Sequence, residues 1–511
     1  MSSLPPVAVP PSMFTRLRRL LRPGWLALFL SALITPLPAE IRCPPLFSEH
    51  MVLQRDQPLP VWGEAAPGET VTVTFAGQTR TTTADPAGRW RVTLDALPAS
   101  AEPRTLQIQG SNTLAFADVL VGEVWFCSGQ SNMEKFFGPR KGQKPVDNHE
   151  LEVAAAHYPR LRLFQVPHAP LPPPGPALLH WLPCSPEALS QSGFSALAYY
   201  FGRQIHQTLG VPVGLIHSSF GGTRIEAWLP DEAFTAPPLR DLPDQPYFAW
   251  IAGVQRTELF HSMVEPYAPY ALRGFLWYQG ETNLMAGNVA AYAEKQAALI
   301  AGWRRAWGRP AAPFYGVLLA PMDYSRWEKF PVTDQALPVF WEQQVRAFSP
   351  PGTGYAVTTD LVADTHDIHP TNKRDIGLRL AGLALAETYG RADLPARGPT
   401  FATMNISGNR IELTFDHAEG LRSRDGQALT GFVISAENQT FLPAQARLEA
   451  GKVIVSHERV EKPVAVRFAW HETANPNLIN GAGLPAVPFR TDAWPIQYLR
   501  SVPAESTPAA K

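Results

Sequence analysis

Residues 119–133 read VLVGEVWFCSGQSNM, and the predicted fold depends on this stretch. The mostly apolar run Val119 to Cys127 is typical of a strand buried inside a sheet. The triplet Gly129-Gln130-Ser131 follows it, where a strand ends and a helix could begin. A serine at such a turn is presented at the carboxyl edge of the sheet, which is where a nucleophile belongs. The motif lacks the second glycine of a Gly-x-Ser-x-Gly elbow, and an N-capping serine is the structural alternative.

Downstream of this stretch, apolar runs alternate with amphipathic segments as far as residue 389. This order is typical of βαβ units around a mostly parallel sheet. We therefore predict an α/β domain over residues 118–395. Its further strands are predicted at residues 213–217, 274–278, 314–319 and 355–359. Its helices are predicted at residues 197–209, 290–307, 338–348 and 373–389.

Short segments of alternating hydrophobicity flank this predicted α/β domain on both sides. Residues 70–75 alternate before it and residues 410–415 alternate after it, with glycine and proline turns between such segments. This spacing predicts antiparallel β-sheet of the sandwich type. The expected architecture is α/β with flanking β domains at residues 40–117 and 396–500, and with a disordered tail at 501–511.

The composition is that of a globular protein without a polyanionic partner. Apolar residues make up 45% and charged residues 17% of the 511 residues, and 44 Lys and Arg stand against 45 Asp and Glu. We therefore expect no binding to nucleic acid. The basic cluster at residues 16–22 directly precedes the apolar run 25–34, which is the order of a secretory signal peptide.

Residues 1–39 are accordingly predicted to be a signal peptide, with cleavage after Ala39. A membrane anchor is the alternative, but the apolar run is about half the length that spans a bilayer. The mature chain is expected to be periplasmic or extracellular and free of the membrane. Export would place Cys43, Cys127 and Cys184 in an oxidising compartment, where one disulfide is possible, although spacing does not select the pair.

Two further blocks follow predicted strands and carry groups that can donate an N–H to an anion. Residues 218–228 contain the pair Gly221-Gly222, which can bring a backbone N–H close to a ligand oxygen. Residues 277–283 bring Gln279, Glu281 and Asn283 into one loop. Buried glutamine or asparagine amides are suitable oxyanion donors, and the carboxylate could orient a neighbour. Ordinary connecting loops are the structural alternative for both blocks.

The fourth block, residues 364–373, places His369 just before the last predicted helix of the α/β domain. From there a histidine can reach across the sheet edge to Ser131, accept its proton and later return a proton to the leaving alcohol. A carboxylate a few residues upstream could hold the tautomer of the ring. Two histidines and two aspartates in this block also allow a metal site, although no Cys/His cluster elsewhere in the sequence completes the ligands.

Together the four blocks resemble the sialate O-acetylesterase family of the SGNH hydrolase superfamily, over nearly the whole chain after residue 39. The resemblance implies a three-layer αβα catalytic domain and an esterase that removes acetyl groups from sugars without a cofactor or a metal. The matching motifs are Gly129-Gln130-Ser131-Asn132-Met133, Phe220-Gly221-Gly222-Thr223, Trp277-Tyr278-Gln279-Gly280-Glu281-Thr282-Asn283 and Asp367-Ile368-His369-Pro370.

The same resemblance implies a role for each central residue of the site. Ser131 is the nucleophile and His369 is the general base. The backbone N–H groups of Ser131 and Gly222 form the oxyanion hole together with a side-chain amide. Gln279 is the preferred donor of that amide, and Asn283 is the alternative.

The acid of the expected triad is the point at which this sequence departs from the wider superfamily. That superfamily places the acid three residues before the histidine, and here the position holds His366. Asp367 is therefore the preferred acid, and Asp364 is the second choice. A main-chain carbonyl that orients a Ser-His dyad is the third possibility.

The substrate that the resemblance implies is an O-acetylated sialic acid, and acetylated plant polysaccharide such as xylan is the alternative. A hypothesis of another class is a carbohydrate-binding protein that holds glycans with aromatic side chains and performs no chemistry. Further candidates for supporting or substrate-binding roles are Asn132, Arg224, Trp228, Glu281, Asn283, Asp364 and Lys373.

Overall fold

The computed structural model describes residues 40–140, 142–169, 179–242 and 254–500. The predicted signal peptide and the predicted C-terminal tail lie outside the described residues. Within the described part, no helix has the length and the apolar content needed to cross a membrane. The chain is a mixed α/β protein in which sheets dominate.

The N-terminal region consists of short strands that lead into one long strand. Strand β2 pairs antiparallel with β5, β3 pairs antiparallel with β4 and β6, and β6 pairs with the first part of β7. The short β1 pairs with β7 in parallel. The bounds are β1 (Val52–Gln54), β2 (Leu59–Glu64), β3 (Thr70–Phe75), β4 (Gln78–Thr83), β5 (Arg89–Leu94), β6 (Ser100–Gln109) and β7 (Thr113–Gly129).

The boundary predicted between residues 117 and 118 falls inside β7, which continues from the N-terminal region into the central sheet. Asp118 bends this strand because its φ of 54° is left-handed. The Asp118 carboxylate accepts a 2.7 Å hydrogen bond from Arg162 and lies 2.7 Å from the ring of His50. The buried side chains of the N-terminal strands and of the central sheet form one continuous hydrophobic core.

The central sheet has the order β13-β12-β11-β7-β10-β8-β9, and its neighbours pair in parallel except for β8 with β9. The four further strands predicted from the sequence are present, the one at residues 274–278 with the predicted bounds and the other three with ends that differ by two or three residues. Strands β8 and β9 were not predicted. The bounds are β8 (Tyr158–Gln165), β9 (Leu182–Cys184), β10 (Val213–Ser219), β11 (Gly274–Tyr278), β12 (Phe314–Val317) and β13 (Thr353–Ala356).

Helices cover both faces of this sheet. Trp125 in β7 packs against Phe201 of α4 with ring centroids 5.0 Å apart, and its neighbour Phe126 packs against Trp303 of α7 at 5.6 Å. Since successive residues of a strand point to opposite faces, α4 and α7 lie on opposite sides. The helices are α1 (Ser131–Glu134), α2 (His149–Ala154), α3 (Pro186–Ser192), α4 (Ala196–Leu209), α5 (Glu258–Met263), α6 (Glu281–Met285), α7 (Tyr292–Ala306), α8 (Ala336–Ala347) and α9 (Arg374–Glu387).

Two helix starts show how local sequence sets these elements. The Asn372 side chain accepts the N–H of Asp375 at 3.0 Å at the start of α9, and Gly390 follows the end of this helix with a left-handed φ of 69°. Ser195 lies in the triplet Gly193-Phe194-Ser195, which has the same Gly-x-Ser spacing as Gly129-Gln130-Ser131. Its hydroxyl oxygen accepts the N–H of Ala198 at 3.1 Å and caps α4. Its hydroxyl therefore has a structural partner.

The C-terminal region is antiparallel and has a hydrophobic core of its own, which includes Ile411, Ile434 and Val466. Its larger sheets have the orders β14-β15-β20-β19 and β18-β17-β21-β23, and β16 pairs with β22. The strands are β14 (Thr400–Ser407), β15 (Arg410–Asp416), β16 (Arg422–Ser423), β17 (Phe432–Ser435), β18 (Leu442–Pro443), β19 (Gln445–Glu449), β20 (Lys452–Ser456), β21 (Ala465–Phe468), β22 (Leu478–Ile479) and β23 (Phe489–Arg490).

The three cysteines are all free thiols, so the disulfide that export would allow is not formed. Cys127 and Cys184 are buried, and Cys43 is half-buried. Burial raises the pKa of the Cys43 and Cys184 thiols to about 12, since the charged thiolate is disfavoured away from water. These thiols fill space in the core in the manner of small apolar side chains.

Candidate active site

Three loops of the site follow the adjacent strands β7, β10 and β11, which end at the same position along the central sheet. Gly129 at the end of β7 pairs with Ser219 of β10 on one side and with Tyr278 of β11 on the other. The segments that follow these residues therefore start side by side at the carboxyl edge. A side chain at Gly129 would put its Cβ 2.1 Å from the Tyr278 carbonyl oxygen, and its φ is +145°, so glycine is required there.

The side chains of Ser131 and His369 meet above this edge. Ser131 is the first residue of α1, and His369 lies in the loop between β13 and α9. Ser131 Oγ is 2.9 Å from His369 Nε2, which is hydrogen-bond distance, although 238 positions separate the two residues in the sequence. The imidazole is 15% exposed, so it is largely shielded but can still be reached from outside.

The surroundings keep the His369 ring neutral. Burial and the positive charges of Lys373, Lys135 and Arg140 lower the pKa of His369 to about 3. A neutral imidazole can accept the proton of a hydroxyl group near neutral pH, whereas a protonated ring could not. The ring is therefore in the neutral form that a general base requires before the reaction.

The aspartates near His369 do not bind its ring. Asp367 Oδ1 accepts the main-chain N–H of His369 at 2.9 Å, but it is 4.0 Å from Nδ1 of the ring. Asp364 accepts a 2.9 Å hydrogen bond from Lys144 Nζ and another from the main chain of His366, and these contacts lower its pKa. Among the residues that the structure describes, none makes a hydrogen bond to His369 Nδ1. Asp367 and Asp364, the preferred and second-choice acids, are therefore close to His369 in the sequence, but neither forms a hydrogen bond with its ring.

Two main-chain N–H groups of the site loops have no hydrogen-bond partner among the described residues. Over the described ranges, neither the Ser131 N–H nor the Gly222 N–H donates a hydrogen bond to the protein. The N–H of the neighbouring Gly221 donates a 2.6 Å hydrogen bond to Glu134 Oε2. A Cβ at Gly221 would lie 3.2 Å from Ser131 Cβ, so the glycine pair packs directly against the serine. This arrangement can present two N–H dipoles to developing negative charge.

The predicted oxyanion amide of Gln279 is used elsewhere. Its Nε2 donates to Gln130 Oε1, to the Thr223 carbonyl and to Asn283 Oδ1 at 3.1, 3.0 and 2.8 Å, and its Oε1 accepts the Tyr292 hydroxyl at 2.7 Å. The side chain is fully buried. Its hydrogen bonds therefore do not support the prediction that Gln279 completes an oxyanion hole.

Asn283, the alternative amide, is equally occupied. Its Nδ2 donates to Glu226 Oε2 at 2.9 Å, and its Oδ1 accepts both the Gln279 amide and the main-chain N–H of Ile225. The Glu226 carboxylate also accepts a 2.7 Å hydrogen bond from Lys295, which is buried with it. Asn283 thus belongs to a buried polar network that ties the second and third loops together.

Asn132, Glu281 and Lys373 form a second buried group beside the nucleophile. Asn132 Nδ2 donates to Glu281 Oε1 and to the Ile368 carbonyl, and Lys373 Nζ donates to Asn132 Oδ1 at 2.7 Å. Burial and the nearby Lys135 lower the pKa of Lys373 to about 7, and burial raises the pKa of Glu281. Three of the predicted supporting residues are thus in contact with one another.

Two other predicted candidates lie inside the protein. Trp228 is fully buried, its Nε1 donates to the Thr223 hydroxyl at 3.0 Å, and its ring packs edge-on against Trp277. Such a ring has no open face on which a sugar could stack. Arg224 is 5% exposed and also lies largely within the protein.

Glu134 was missed by the sequence reasoning. It lies three residues after Ser131, is 9% exposed, and accepts hydrogen bonds from Gly221 and, at 2.9 Å, from Arg140. His168 lies 3.7 Å from the same carboxylate and stacks on Phe220 at 4.4 Å. A charged residue one turn after a candidate nucleophile was the signal that could have identified it.

The alternative of a metal site finds no cluster of ligands in the described ranges, where no three His, Cys, Asp or Glu side chains come together to hold an ion. His366 is exposed and lies 3.7 Å from Asp323 and 3.5 Å from Asp364. The two histidines of the fourth block contact different groups, His369 the Ser131 hydroxyl and His366 the Asp323 carboxylate.

Comparisons with known proteins identify the family of the chain. The model of the family described as carbohydrate esterase, sialic acid-specific acetylesterase, matches residues 121–389, which is more than half of the chain. The sialate O-acetylesterase of Homo sapiens is 29% identical over 492 residues, covering 86% of this chain and 91% of that protein. The sialate O-acetylesterase of Mus musculus is 28% identical over 489 residues, covering 82% of this chain and 88% of that protein.

A solved structure gives the same result. The crystal structure of a carbohydrate acetylesterase from Xanthomonas citri covers 89% of this chain and 100% of its own, with a TM-score of 0.78 and 35% sequence identity. The family model, the relatives and this structure all describe acetylesterases that act on carbohydrates. The chain belongs to the sialic acid-specific acetylesterase family of carbohydrate esterases, and it is a carboxylic ester hydrolase.

Proposed function

We propose that this chain hydrolyses acetyl esters on sugars through an acetyl-enzyme intermediate, with Ser131 as the nucleophile and His369 as the general base. The observation that carries the proposal is the 2.9 Å distance between Ser131 Oγ and His369 Nε2. A serine is a weak nucleophile until a base within hydrogen-bond reach accepts its proton. The pKa of His369 is lowered by burial and by nearby positive charges, so the ring is neutral near neutral pH and Nε2 can accept a proton.

Each half of the reaction transfers one proton through His369. Ser131 Oγ bonds to the acetyl carbonyl carbon while its proton moves to His369 Nε2, and the protonated ring then gives that proton to the leaving sugar oxygen. Water attacks the acetyl-serine in the second half and loses one proton to Nε2, and this proton returns to Ser131 Oγ as acetic acid leaves and then ionises to acetate. The oxyanion in each half accepts hydrogen bonds from the N–H groups of Ser131 and Gly222.

The site proposed here is a dyad with main-chain support of the histidine. The 4.0 Å between Asp367 Oδ1 and His369 Nδ1 is too long for a hydrogen bond, while the 2.9 Å contact to the His369 main chain is a good one. Asp367 then holds the loop of the histidine, and it does not share the proton of the ring. In this proposal Asp367 positions the main chain of His369, whereas a triad acid would bond to Nδ1 of the ring.

For the architecture and location, we propose an SGNH-type three-layer αβα catalytic domain at residues 118–395, flanked by β-sandwich-like domains at 40–117 and 396–500. The packing of α4 and α7 on opposite faces of the central sheet supports the three layers. We also propose that residues 1–39 direct export and are then removed, which would place the esterase in the periplasm or outside the cell.

The proposed substrate is an O-acetylated sialic acid, because the named relatives are sialate O-acetylesterases. Acetylated plant polysaccharide such as xylan is the second candidate, because the more similar Xanthomonas citri structure is described more broadly as a carbohydrate acetylesterase. The two candidates differ in charge and in size, so direct comparison of substrates separates them.

Acetate release tests the proposal. The chain and its Ser131→Ala and Ser195→Ala variants are incubated with O-acetylated sialic acid, acetylated xylan and a chromogenic acetyl ester, with and without a chelator. We expect Ser131→Ala to abolish release and Ser195→Ala to retain it, since the Ser195 hydroxyl caps α4 and contacts Met133 Sδ but makes no hydrogen bond to Ser131 or His369. Release that survives Ser131→Ala but not the chelator would support a metal-dependent reaction instead. Glycan binding without any acetate release would support a carbohydrate-binding protein.

A further inference from the structure

One side chain connects the nucleophile to the loop that holds the base. Asn132 directly follows Ser131 and is completely buried. Its amide donates a 2.9 Å hydrogen bond to the carbonyl of Ile368, the residue before His369, and another to Glu281 Oε1. Its carbonyl oxygen accepts a 2.7 Å hydrogen bond from Lys373 at the start of α9. Asn132 therefore joins its own loop to the loop of Glu281 and to the loop between β13 and α9, next to the Ser131–His369 contact.

The orientation of this amide is determined by its partners. Lys373 Nζ can only donate a hydrogen bond, and the Ile368 carbonyl can only accept one. Reversing the amide would turn its NH₂ group towards the ammonium group and its oxygen towards the Ile368 carbonyl, so two favourable contacts would become repulsive. An asparagine can meet these demands at this position, while aspartate lacks the donor and leucine lacks both groups.

The histidine ring depends on its main chain for orientation. Within the described residues, Nδ1 of His369 makes no hydrogen bond, although triads normally orient the base through this atom. The loop is held instead by two neighbouring contacts, from Asp367 to the His369 N–H and from Asn132 to the Ile368 carbonyl. In the second contact the donor is Asn132, the neighbour of Ser131, and the acceptor is Ile368, the neighbour of His369. The contact therefore couples the main chain that carries the nucleophile to the main chain that carries the base.

We propose that Asn132 is a positioning residue that sets the Ser131–His369 geometry, and that the buried Lys373–Asn132–Glu281 chain replaces the carboxylate that orients the base in a triad. This inference rests on the proposed function, because it assigns how the proposed dyad is held. Lys373 and Glu281 fix the amide from both sides, and the amide fixes the loop of the histidine. None of the three side chains has to touch the substrate.

Two substitutions at Asn132 test the proposal. Asn132→Asp keeps the shape of the side chain but puts an acceptor against the Ile368 carbonyl and Glu281, and Asn132→Ala removes all three contacts. We expect each to lower kcat for a chromogenic acetyl ester by about a hundredfold, since small displacements of reacting groups cost about that much. KM should change little, because the substrate pocket itself is intact. A general structural defect would not produce this separation of kcat from KM.

Asn477→Ala is the matched control. Asn477 is 2% exposed and its amide also joins loops, with hydrogen bonds to the Ala428 carbonyl and to Asp425 in the C-terminal region. We expect it to lower Tm as much as the Asn132 variants do while kcat per folded molecule stays unchanged. Circular dichroism gives the folded fraction, and if Asn132→Ala does not fold, Asn132→Asp carries the comparison.

The outcomes separate this inference from the proposed function. If Ser131→Ala is inactive and a folded Asn132 variant keeps kcat within about threefold of the unchanged chain, a difference well below the expected effect of misplacement, the positioning role is wrong and the nucleophile stands. Equal loss of kcat in Asn477→Ala would likewise overturn it. If Ser131→Ala stays active, the proposed function itself fails.

Discussion

The main-chain N–H of Gly221 donates a 2.6 Å hydrogen bond to Oε2 of Glu134, which lies three residues after the proposed nucleophile. This contact ties the glycine pair of the second loop to the first turn of α1. Because Gly222 follows Gly221 directly, the position of the Gly222 N–H depends on where Glu134 holds the loop. Arg140 donates to the other carboxylate oxygen at 2.9 Å and so steadies the acceptor.

Removal of the Glu134 carboxylate should slow turnover with little effect on the fold. Glu134→Ala frees the Gly221 N–H, and we expect kcat for a chromogenic acetyl ester to fall by about ten- to a hundredfold because an oxyanion donor is displaced. Glu134→Gln retains an acceptor oxygen and should lose less. Glu342→Ala is the control, since that carboxylate pairs with Arg490 at 2.9 Å and has no contact with the site loops in the described residues. Equal rates for Glu134→Ala and the unchanged chain would contradict the assignment.

Asp367→Asn distinguishes a dyad from a triad. Asparagine keeps the Oδ1 acceptor for the His369 N–H, so we expect kcat to fall by less than about tenfold, whereas loss of a true triad acid costs about ten-thousandfold. Asp367→Ala removes the main-chain contact as well and should lose more activity than Asp367→Asn. The measurement is kcat for both variants at a pH where the histidine is neutral. A collapse of activity in Asp367→Asn would show that the carboxylate moves onto Nδ1 during the reaction.

The positions of the site loops could be predicted because they follow from strand order and local pattern. Buried runs ended just before Ser131 and Gln279, and parallel strands bring their carboxyl ends to one edge. The contact between Asp367 and the His369 N–H is also local, since an aspartate often accepts the N–H two residues later. Reading that turn in the sequence would have weakened Asp367 as a triad acid.

The partners of the buried amides could not be predicted in the same way. Gln279 bonds to Gln130, Thr223 and Asn283, of which two belong to other loops, and no local pattern reports which acceptor a side chain reaches. The course of β7 across the predicted boundary also depends on distant residues. Asp118 takes a left-handed conformation within this strand, and its carboxylate contacts Arg162 and His50.

Gln279→Ala should therefore weaken the fold more than the chemistry. The substitution takes the Gln279 amide away from the buried Thr223 carbonyl and Asn283 Oδ1, which costs about 1–3 kcal/mol in the free energy of unfolding. The Tyr292 hydroxyl keeps the Gln279 main-chain carbonyl as an acceptor at 3.0 Å. The folded fraction should keep kcat within about tenfold, well short of the several-hundredfold loss expected for a missing oxyanion donor.

Gln344→Ala provides the comparison for this stability measurement. Gln344 is also buried, with its amide bonded to the Val317 carbonyl and its oxygen to the Leu319 N–H, and it lies in α8 away from the nucleophile loop. Urea unfolding should show losses of similar size for the two variants. A several-hundredfold drop in kcat confined to Gln279→Ala, with normal stability, would restore Gln279 as an oxyanion donor.

The acid limb of the pH profile should move when Lys373 loses its charge. Burial and the positive charges of Lys373, Lys135 and Arg140 lower the pKa of His369, and Asp367 Oδ1 lies 4.0 Å from its Nδ1. The base works when neutral, so kcat/KM falls as the pH drops through the pKa of the ring in the free enzyme. Lys373→Met removes one positive charge, so protonation of His369 becomes easier and its pKa rises. The fall of kcat/KM must then begin at a higher pH than in the unchanged chain.

Lys452→Met separates this effect from a general change of charge. Lys452 is exposed and pairs with Glu412 at 3.0 Å in the C-terminal region, so its loss should leave the acid limb in place. Both variants are measured over the acid range in which circular dichroism shows a folded protein. A lower kcat in Lys373→Met is expected as well, because Asn132 loses its donor, but only the electrostatic effect shifts the limb along the pH axis. A limb that stays in place or moves to lower pH would mean that Lys373 does not act on the charge of His369.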